Sequence, residues 1–207
     1  MTEVKVCGMM RRQDVDAGSC ADYLGFVVSS SSRRCLSSSL AKKLMSMAVP
    51  KKVMVTNCPD VHEVVRLADE LRPDVVQAHR VYPEGELDLL RSCIPCELWL
   101  LMPVSDSSCN GLVERLRRSA DKVVLDTPSA QGGGSGQVHD WRLSSALKRS
   151  LRPVGTVLAG GLCPSNVREA IRMVRPDVVD VSTGVEEGGR KSPRLIAEFI
   201  SNVRGGD

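Results

Sequence analysis

The chain has 207 residues, 42% of them apolar and only 3% aromatic, with a formal net charge of +3. That length suits one domain whose core is built from Val, Leu, Ala and Met. The charge is too small to point to a nucleic-acid partner, no window is long and apolar enough to span a membrane, and no signal-peptide layout opens the chain, so a cytoplasmic protein is expected.

Short β-rich runs alternate with amphipathic stretches throughout. Strands are predicted at residues 4–7, 23–28, 52–56, 75–78, 97–102, 122–125, 156–159 and 178–181. The first closes on Cys7 and Gly8. The second leads into a Ser-rich stretch, 29–32, and then Arg33 and Arg34. After the third, Pro59-Asp60 opens a helix with Val61, Val64, Val65, Ala68 and Leu71 on one face. The fourth ends at Gln77 and His79. The sixth runs into Asp126 and then a Gly-rich stretch, 132–136. The seventh closes on Gly160-Gly161. Pro164-Ser165-Asn166 then opens a helix that aligns Val167, Ala170, Ile171 and Val174, and the eighth strand ends in Ser182-Thr183-Gly184. Arg-Pro-Asp follows two of the helices, at 72–74 and 175–177.

Repeated strand–helix units with nearly continuous apolar strands imply a parallel sheet covered by helices. Eight units suit a closed (βα)8 (TIM) barrel over residues 1–207. An open doubly wound sheet is the alternative if one unit is misread. In a barrel, the loops after the strands share one rim, where active sites are built.

Cys7 and Asp126, each at a strand end, are an acid–base pair if that rim brings them together. Taken singly, Cys7 is equally a small apolar filler and Asp126 equally a turn or cap residue. Gly160, Gly161, Thr183 and Gly184 follow the seventh and eighth strands, where barrels often bind phosphate through backbone N–H groups. Tight turns without a ligand are the plain alternative. An Arg at the rim can grip a carboxylate through two parallel hydrogen bonds, although paired arginines are commonly solvated. Gln77, His79, Arg80 and Asp180 are further candidate pocket residues, and an isolated His79 is often structural.

Eight cysteines are scattered without a disulfide framework, so reduced thiols are expected. Cys93-Ile94-Pro95-Cys96 has redox or zinc half-site spacing, but it precedes a strand, opposite the expected rim, and no second pair follows. Cys7, Cys35, Cys58 and Cys163 fall just beyond strand ends and suggest a thiol-rich rim.

Several segments, in chain order, carry a resemblance. They are Lys5-Val6-Cys7-Gly8-Met9, Ala21-Asp22-Tyr23-Leu24-Gly25-Phe26-Val27, Leu125-Asp126-Thr127, Gly133-Gly134-Ser135-Gly136-Gln137, Asp140-Trp141, Leu158-Ala159-Gly160-Gly161-Leu162, Pro164-Ser165-Asn166-Val167 and 179–186. The chain resembles the phosphoribosylanthranilate isomerase family of tryptophan biosynthesis. The resemblance implies an Amadori rearrangement of N-(5-phosphoribosyl)anthranilate to 1-(2-carboxyphenylamino)-1-deoxyribulose 5-phosphate. It implies Cys7 as general base, Asp126 as general acid, Arg34 on the substrate carboxylate, and Gly134, Ser135, Gly160, Gly161, Thr183 and Gly184 around the phosphate. The implied partner is a small phosphorylated substrate, with no metal or organic cofactor and no nucleic acid or membrane. Family members are monomers, homodimers or fusions, and a monomer or homodimer is expected here. Another sugar-phosphate isomerase, such as one for a histidine-pathway aminoaldose, would use similar phosphate loops. So would a non-catalytic phosphate-binding barrel. Three departures stand near the proposed pocket: Arg80 replaces a family glycine, Cys35 an aromatic, and the 7–21 segment is about two residues short, so the first helix should be short.

Overall fold

The computed structural model describes residues 1–105, 110–127 and 138–205. Eight parallel strands close in sequence order into a barrel. They are β1 (Glu3–Cys7), β2 (Tyr23–Val27), β3 (Lys51–Thr56), β4 (Val75–Ala78), β5 (Glu97–Pro103), β6 (Lys122–Asp126), β7 (Gly155–Leu158) and β8 (Val178–Val181). Each predicted strand is recovered within one residue at either end. Because β1 pairs with both β2 and β8, the sheet has no free edge, and the open-sheet alternative is excluded.

The helices are α1 (Arg12–Ala17), α2 (Ser38–Met45), α3 (Val61–Leu71), α4 (Glu84–Cys93), α5 (Asn110–Ser119), α6 (Trp141–Leu151), α7 (Val167–Val174) and α8 (Pro193–Arg204). Several begin on capping side chains. Asp60 accepts from the His62 N–H, Asp140 from Arg142 and Ser192 from Leu195. The short α1 meets the sequence expectation. Its entry is folded by Asp14, whose carboxylate accepts the Met10 and Arg11 N–H groups at 3.0 and 3.1 Å.

Strand alternation divides the core in two. Outward residues such as Val4, Val6, Leu24, Phe26, Val76 and Leu125 pack under the helices. Inward residues Tyr23, Val53, Val55, Val75, Trp99, Val124, Val157 and Val178 fill the barrel. The few aromatics are used economically: Tyr23 and Trp99 meet edge to face, 5.0 Å between ring centres. Tyr23 donates to Glu3 and Trp99 to Glu97, which places this plug near the N-terminal ends of the strands.

That end carries a repeated device. Asp22, Asp74, Asp121 and Asp177 each stand immediately before an even-numbered strand. Their carboxylates accept the N–H groups of Val4, Lys52, Leu98 and Thr156 at 2.8, 2.7, 2.7 and 2.7 Å. Their own N–H groups return bonds to the carbonyls of the same four residues at 2.9–3.0 Å. Each odd strand is therefore stapled to the even strand that follows. The two Arg-Pro-Asp stops are explained in full. Arg72 and Arg175 end α3 and α7 in the left-handed region, proline blocks continuation, and the aspartate makes the staple.

Among the described residues no helix is long and apolar enough to cross a membrane. The seven cysteines described are unbridged.

Candidate active site

The same alternation that packs the barrel sends Cys7, Gln77, Asp126 and Asp180 inward at the C-terminal ends of β1, β4, β6 and β8. A cavity opens there, partly enclosed and lined by both polar and apolar groups. Cys7, Arg34, Gln77, His79, Asp126, Gly160, Gly161, Asp180 and Thr183 all line it. The shared rim inferred for Cys7 and Asp126 is therefore present.

Room for the thiol is made by Gly25, which pairs with Cys7 across β1 and β2. A Cβ at Gly25 would come within 2.8 Å of the Cys7 sulfur. Burial pushes the Cys7 thiol up, and the ammonium groups of Lys5 and Lys191 pull against that rise while Asp180 adds to it. Lys191 is held by the Ser182 carbonyl at 2.8 Å and by Glu186 at 3.0 Å, and the Ser182 hydroxyl donates to the Cys7 carbonyl.

Across the cavity, Asp126 is oriented from two sides. The Thr127 N–H donates to its Oδ1 at 2.7 Å, and His79 Nε2 lies 3.1 Å from its Oδ2. Gln77 Nε2 reaches His79 Nδ1 at 3.1 Å, so the imidazole is clamped between amide and carboxylate. With the amide donating, Nδ1 accepts and Nε2 carries the proton toward Asp126. Thr127 is tied in turn to His139, and His139 to Ser144. Gly160, at φ +84°, makes the close approach beside this group. A Cβ there would meet Thr127 Oγ1 at 2.3 Å and Asp126 Oδ1 at 2.8 Å.

Arg34 is almost fully buried at the cavity wall. Its Nε and Nη2 donate to the two carboxylate oxygens of Glu186, at 2.9 and 3.2 Å. Glu186 also receives Arg33 and Lys191. Burial would raise its pKa, but Arg34 and Lys191 hold the carboxyl at about 2. Gly8, at φ +86°, leaves space for the Arg34 stem.

Not every candidate joins the cavity. Arg80 is exposed and lies outside the lining, because one residue beyond inward-facing His79 the chain turns outward. Gly184 is not in the lining either. Its backbone packs so tightly that a Cβ would sit 1.9 Å from the Leu162 carbonyl oxygen. Gly134, Ser135 and the rest of 132–136 lie outside the described residues. Cys35 is exposed, Cys58 buried and Cys163 intermediate, so the four strand-end thiols do not form a uniform rim. Cys93 and Cys96 border a separate surface cavity between α3 and α4, and among the described residues no metal-binding cluster of His, Cys, Asp or Glu occurs.

Sequence reasoning missed Lys5, Lys191 and the hub role of Glu186. Lys5 carried a usable signal, since in a barrel strand it must face the same way as Cys7.

The fold and this cavity define a (βα)8-barrel enzyme, with a thiol and a carboxyl lining one mouth. Residues 4–202 match the family model for N-(5'phosphoribosyl)anthranilate (PRA) isomerase, and the chain belongs to that family. It is 39% identical to the N-(5'-phosphoribosyl)anthranilate isomerase of Methanothrix thermoacetophila over 99% of both chains. Among solved structures it is similar to the dimeric phosphoribosylanthranilate isomerase of Thermotoga maritima, solved as monomers (31% identity, TM-score 0.82, covering 99% and 100% of the two chains). It is also similar to an isomerase solved with reduced 1-(o-carboxyphenylamino)-1-deoxyribulose 5-phosphate (30% identity, TM-score 0.80, covering 99% and 100%).

Proposed function

We propose that this chain converts N-(5-phosphoribosyl)anthranilate to 1-(2-carboxyphenylamino)-1-deoxyribulose 5-phosphate, the aldose–ketose isomerase step of tryptophan biosynthesis. The observation that carries the reading is the cavity lined by both Cys7 and Asp126, in a chain that matches the family over nearly its whole length.

Asp126 is the general acid. It gives its proton to the ribose ring oxygen as the C1–O bond breaks and the amine nitrogen forms a Schiff base with C1. Cys7, as thiolate, is the general base. It takes the proton from C2; the C–H electron pair becomes the C1=C2 bond of an enolamine and the C1=N pair returns to nitrogen. The enolamine then tautomerises to the ketone, C1 gaining a proton as the C2 hydroxyl loses one, and exchange with solvent returns Cys7 to thiolate and Asp126 to the acid for the next turnover. Asp126 is ionised after ring opening, and its hydrogen bonds from Thr127 and His79 suit that state.

The substrate carries an anion at each end. Arg34 takes the anthranilate carboxylate on the guanidinium edge that Glu186 does not use. The loops after β7 and β8 take the phosphate, with Gly160, Gly161 and Thr183 in the cavity lining; Gly184 serves the tight turn there, and Gly134 and Ser135 are given a phosphate role by the family resemblance alone. Fixing both ends holds C1 and C2 between thiol and acid, and positioning of this kind supplies a large part of rate enhancement. We read residues 1–207 as one isomerase domain acting in the cytoplasm as a monomer or homodimer, the latter by analogy with the Thermotoga relative.

The test is direct. Phosphoribosylanthranilate is generated in situ and the loss of its fluorescence is followed. The parent turns over; Cys7→Ser and Asp126→Asn each lose roughly 10²–10⁴-fold in kcat. No turnover in the parent sinks the assignment, and parent-like turnover in both variants refutes the two roles.

A further inference from the structure

Lys5 is the most unexpected residue inside the barrel. It is completely buried on β1, where most neighbouring inward positions are valines and aromatics. A buried ammonium costs several kcal/mol unless it is paired, and a well-packed apolar side chain usually serves stability as well or better. Packing therefore does not account for a lysine here.

Its partners do. Lys5 stands directly opposite Asp180 in the β1–β8 register, and Lys5 Nζ donates to Asp180 Oδ2 at 2.5 Å. The other carboxylate oxygen, Asp180 Oδ1, is buried with no hydrogen-bond partner among the described residues, and Asp180 lines the cavity. Lys5 also shares its strand face with Cys7, one inward position further along, roughly 6–7 Å of strand. The ion pair thus sits directly beneath the thiol.

We propose that Lys5 is a positioning residue for the reaction: its ammonium, anchored by Asp180, is the counter-ion that keeps Cys7 available as a thiolate. The inference rests on Cys7 being the general base, as assigned above.

The charges around the sulfur support this ranking. Lys5 faces it from β1, Asp180 from β8, and Lys191 from the short β9–β10 ribbon (Glu186–Glu187, Arg190–Lys191). Arg34, His79 and Asp126 share the cavity wall. Of these, Lys5 acts most strongly against the burial that disfavours thiolate, ahead of the opposing effect of Asp180. Burial also acts to strip Lys5 of its proton, but Asp180 and Cys7 outweigh it and hold the lysine above its ordinary range. In the reaction the thiolate accepts the C2 proton and becomes a thiol, while the ammonium keeps its own proton throughout. Lys5 touches neither substrate nor reacting atoms; it acts through the sulfur.

The experiment is iodoacetamide alkylation of Cys7 against pH, resolved by mass spectrometry of its peptide, in the parent, Lys5→Met and Lys5→Met/Asp180→Asn. The double variant removes both charges, so no orphan carboxylate is left to unfold the barrel. The alkylation midpoint should rise by about 1–2 pH units in Lys5→Met, and by less but still measurably in the double variant. In Lys5→Met, kcat should fall roughly 10–100-fold near neutral pH, recover as pH is raised, and leave KM within about threefold. Midpoints that stay at the parent value in both variants overturn the proposal, even if activity falls. The fluorescence assay on Cys7→Ser separates the two failures. Parent-like turnover there removes the base assignment and this inference with it. An inactive Cys7→Ser alongside unshifted Lys5 variants removes only the inference.

Discussion

The two ends of the barrel use the same residue type for opposite purposes. At the N-terminal end, four aspartates each accept a backbone N–H and return a bond to the same residue, so their hydrogen-bonding capacity serves the fold. At the C-terminal end, Asp126 and Asp180 face a cavity, and the Oδ1 of Asp180 and the Oε1 of Gln77 stay buried without a partner among the described residues. A buried polar atom left unpaired costs about 1–3 kcal/mol. One end is thus organised for stability, while the other retains polar capacity for a ligand. Substitutions at the two ends should separate stability from turnover.

Outside the acid–base pair, the largest effect is expected at Gly160. A methyl group there meets Thr127 and Asp126 and is strained at positive φ. Gly160→Ala should cost about 100-fold in kcat by displacing Asp126, with the fold retained by circular dichroism. A variant that keeps parent kcat would show that the position of Asp126 is not critical. At the other end, Asp177→Ala should lose about 1–3 kcal/mol in thermal or urea denaturation with kcat unchanged.

The same staple sets an acid limit on stability. Burial would raise Asp177, but its bonds with Thr156 and Lys148 overcome this and hold it below the ordinary aspartate range. Asp74 is lowered in the same way by Lys52. A carboxyl lowered on folding contributes stability above its unfolded pKa, near ~3.9, and loses it as pH falls through the folded value. The stability gap between the parent and Asp177→Ala should therefore be flat above about pH 5 and narrow below about pH 4. A gap independent of pH would mean that the staple is not ionic.

A smaller effect should appear at Glu186, which orients Arg34 and stays ionised down to about pH 2. Glu186→Gln should raise KM by roughly tenfold, about 1.4 kcal/mol, with less change in kcat. Least of all is expected from Arg80→Gly, since Arg80 lies outside the cavity lining. kcat/KM should stay within about twofold, and a larger change would place the guanidinium on the substrate path.

Much of this was legible from the chain. Strand ends could be read closely because β-branched runs stop abruptly at Gly8, Gly160 and Ser182. Asp126 and Cys7 were found because a parallel barrel sends all strand ends to one rim. Lys5 was not, because an apolar run hides a single lysine unless inward and outward positions are counted. Glu186 was missed for a different reason. It lies more than 150 residues from Arg34, and only closure of β8 against β1 brings their loops together. The staples were half visible: Arg-Pro-Asp was recognisable as a stop, but its carboxylate bond is tertiary.

The contact between Gly184 and the Leu162 carbonyl has a consequence for engineering. The loops after β7 and β8 touch there backbone to backbone, leaving no side chain to cushion a change in either. They behave as one moulded part, so loop grafting at this corner would have to exchange both segments together.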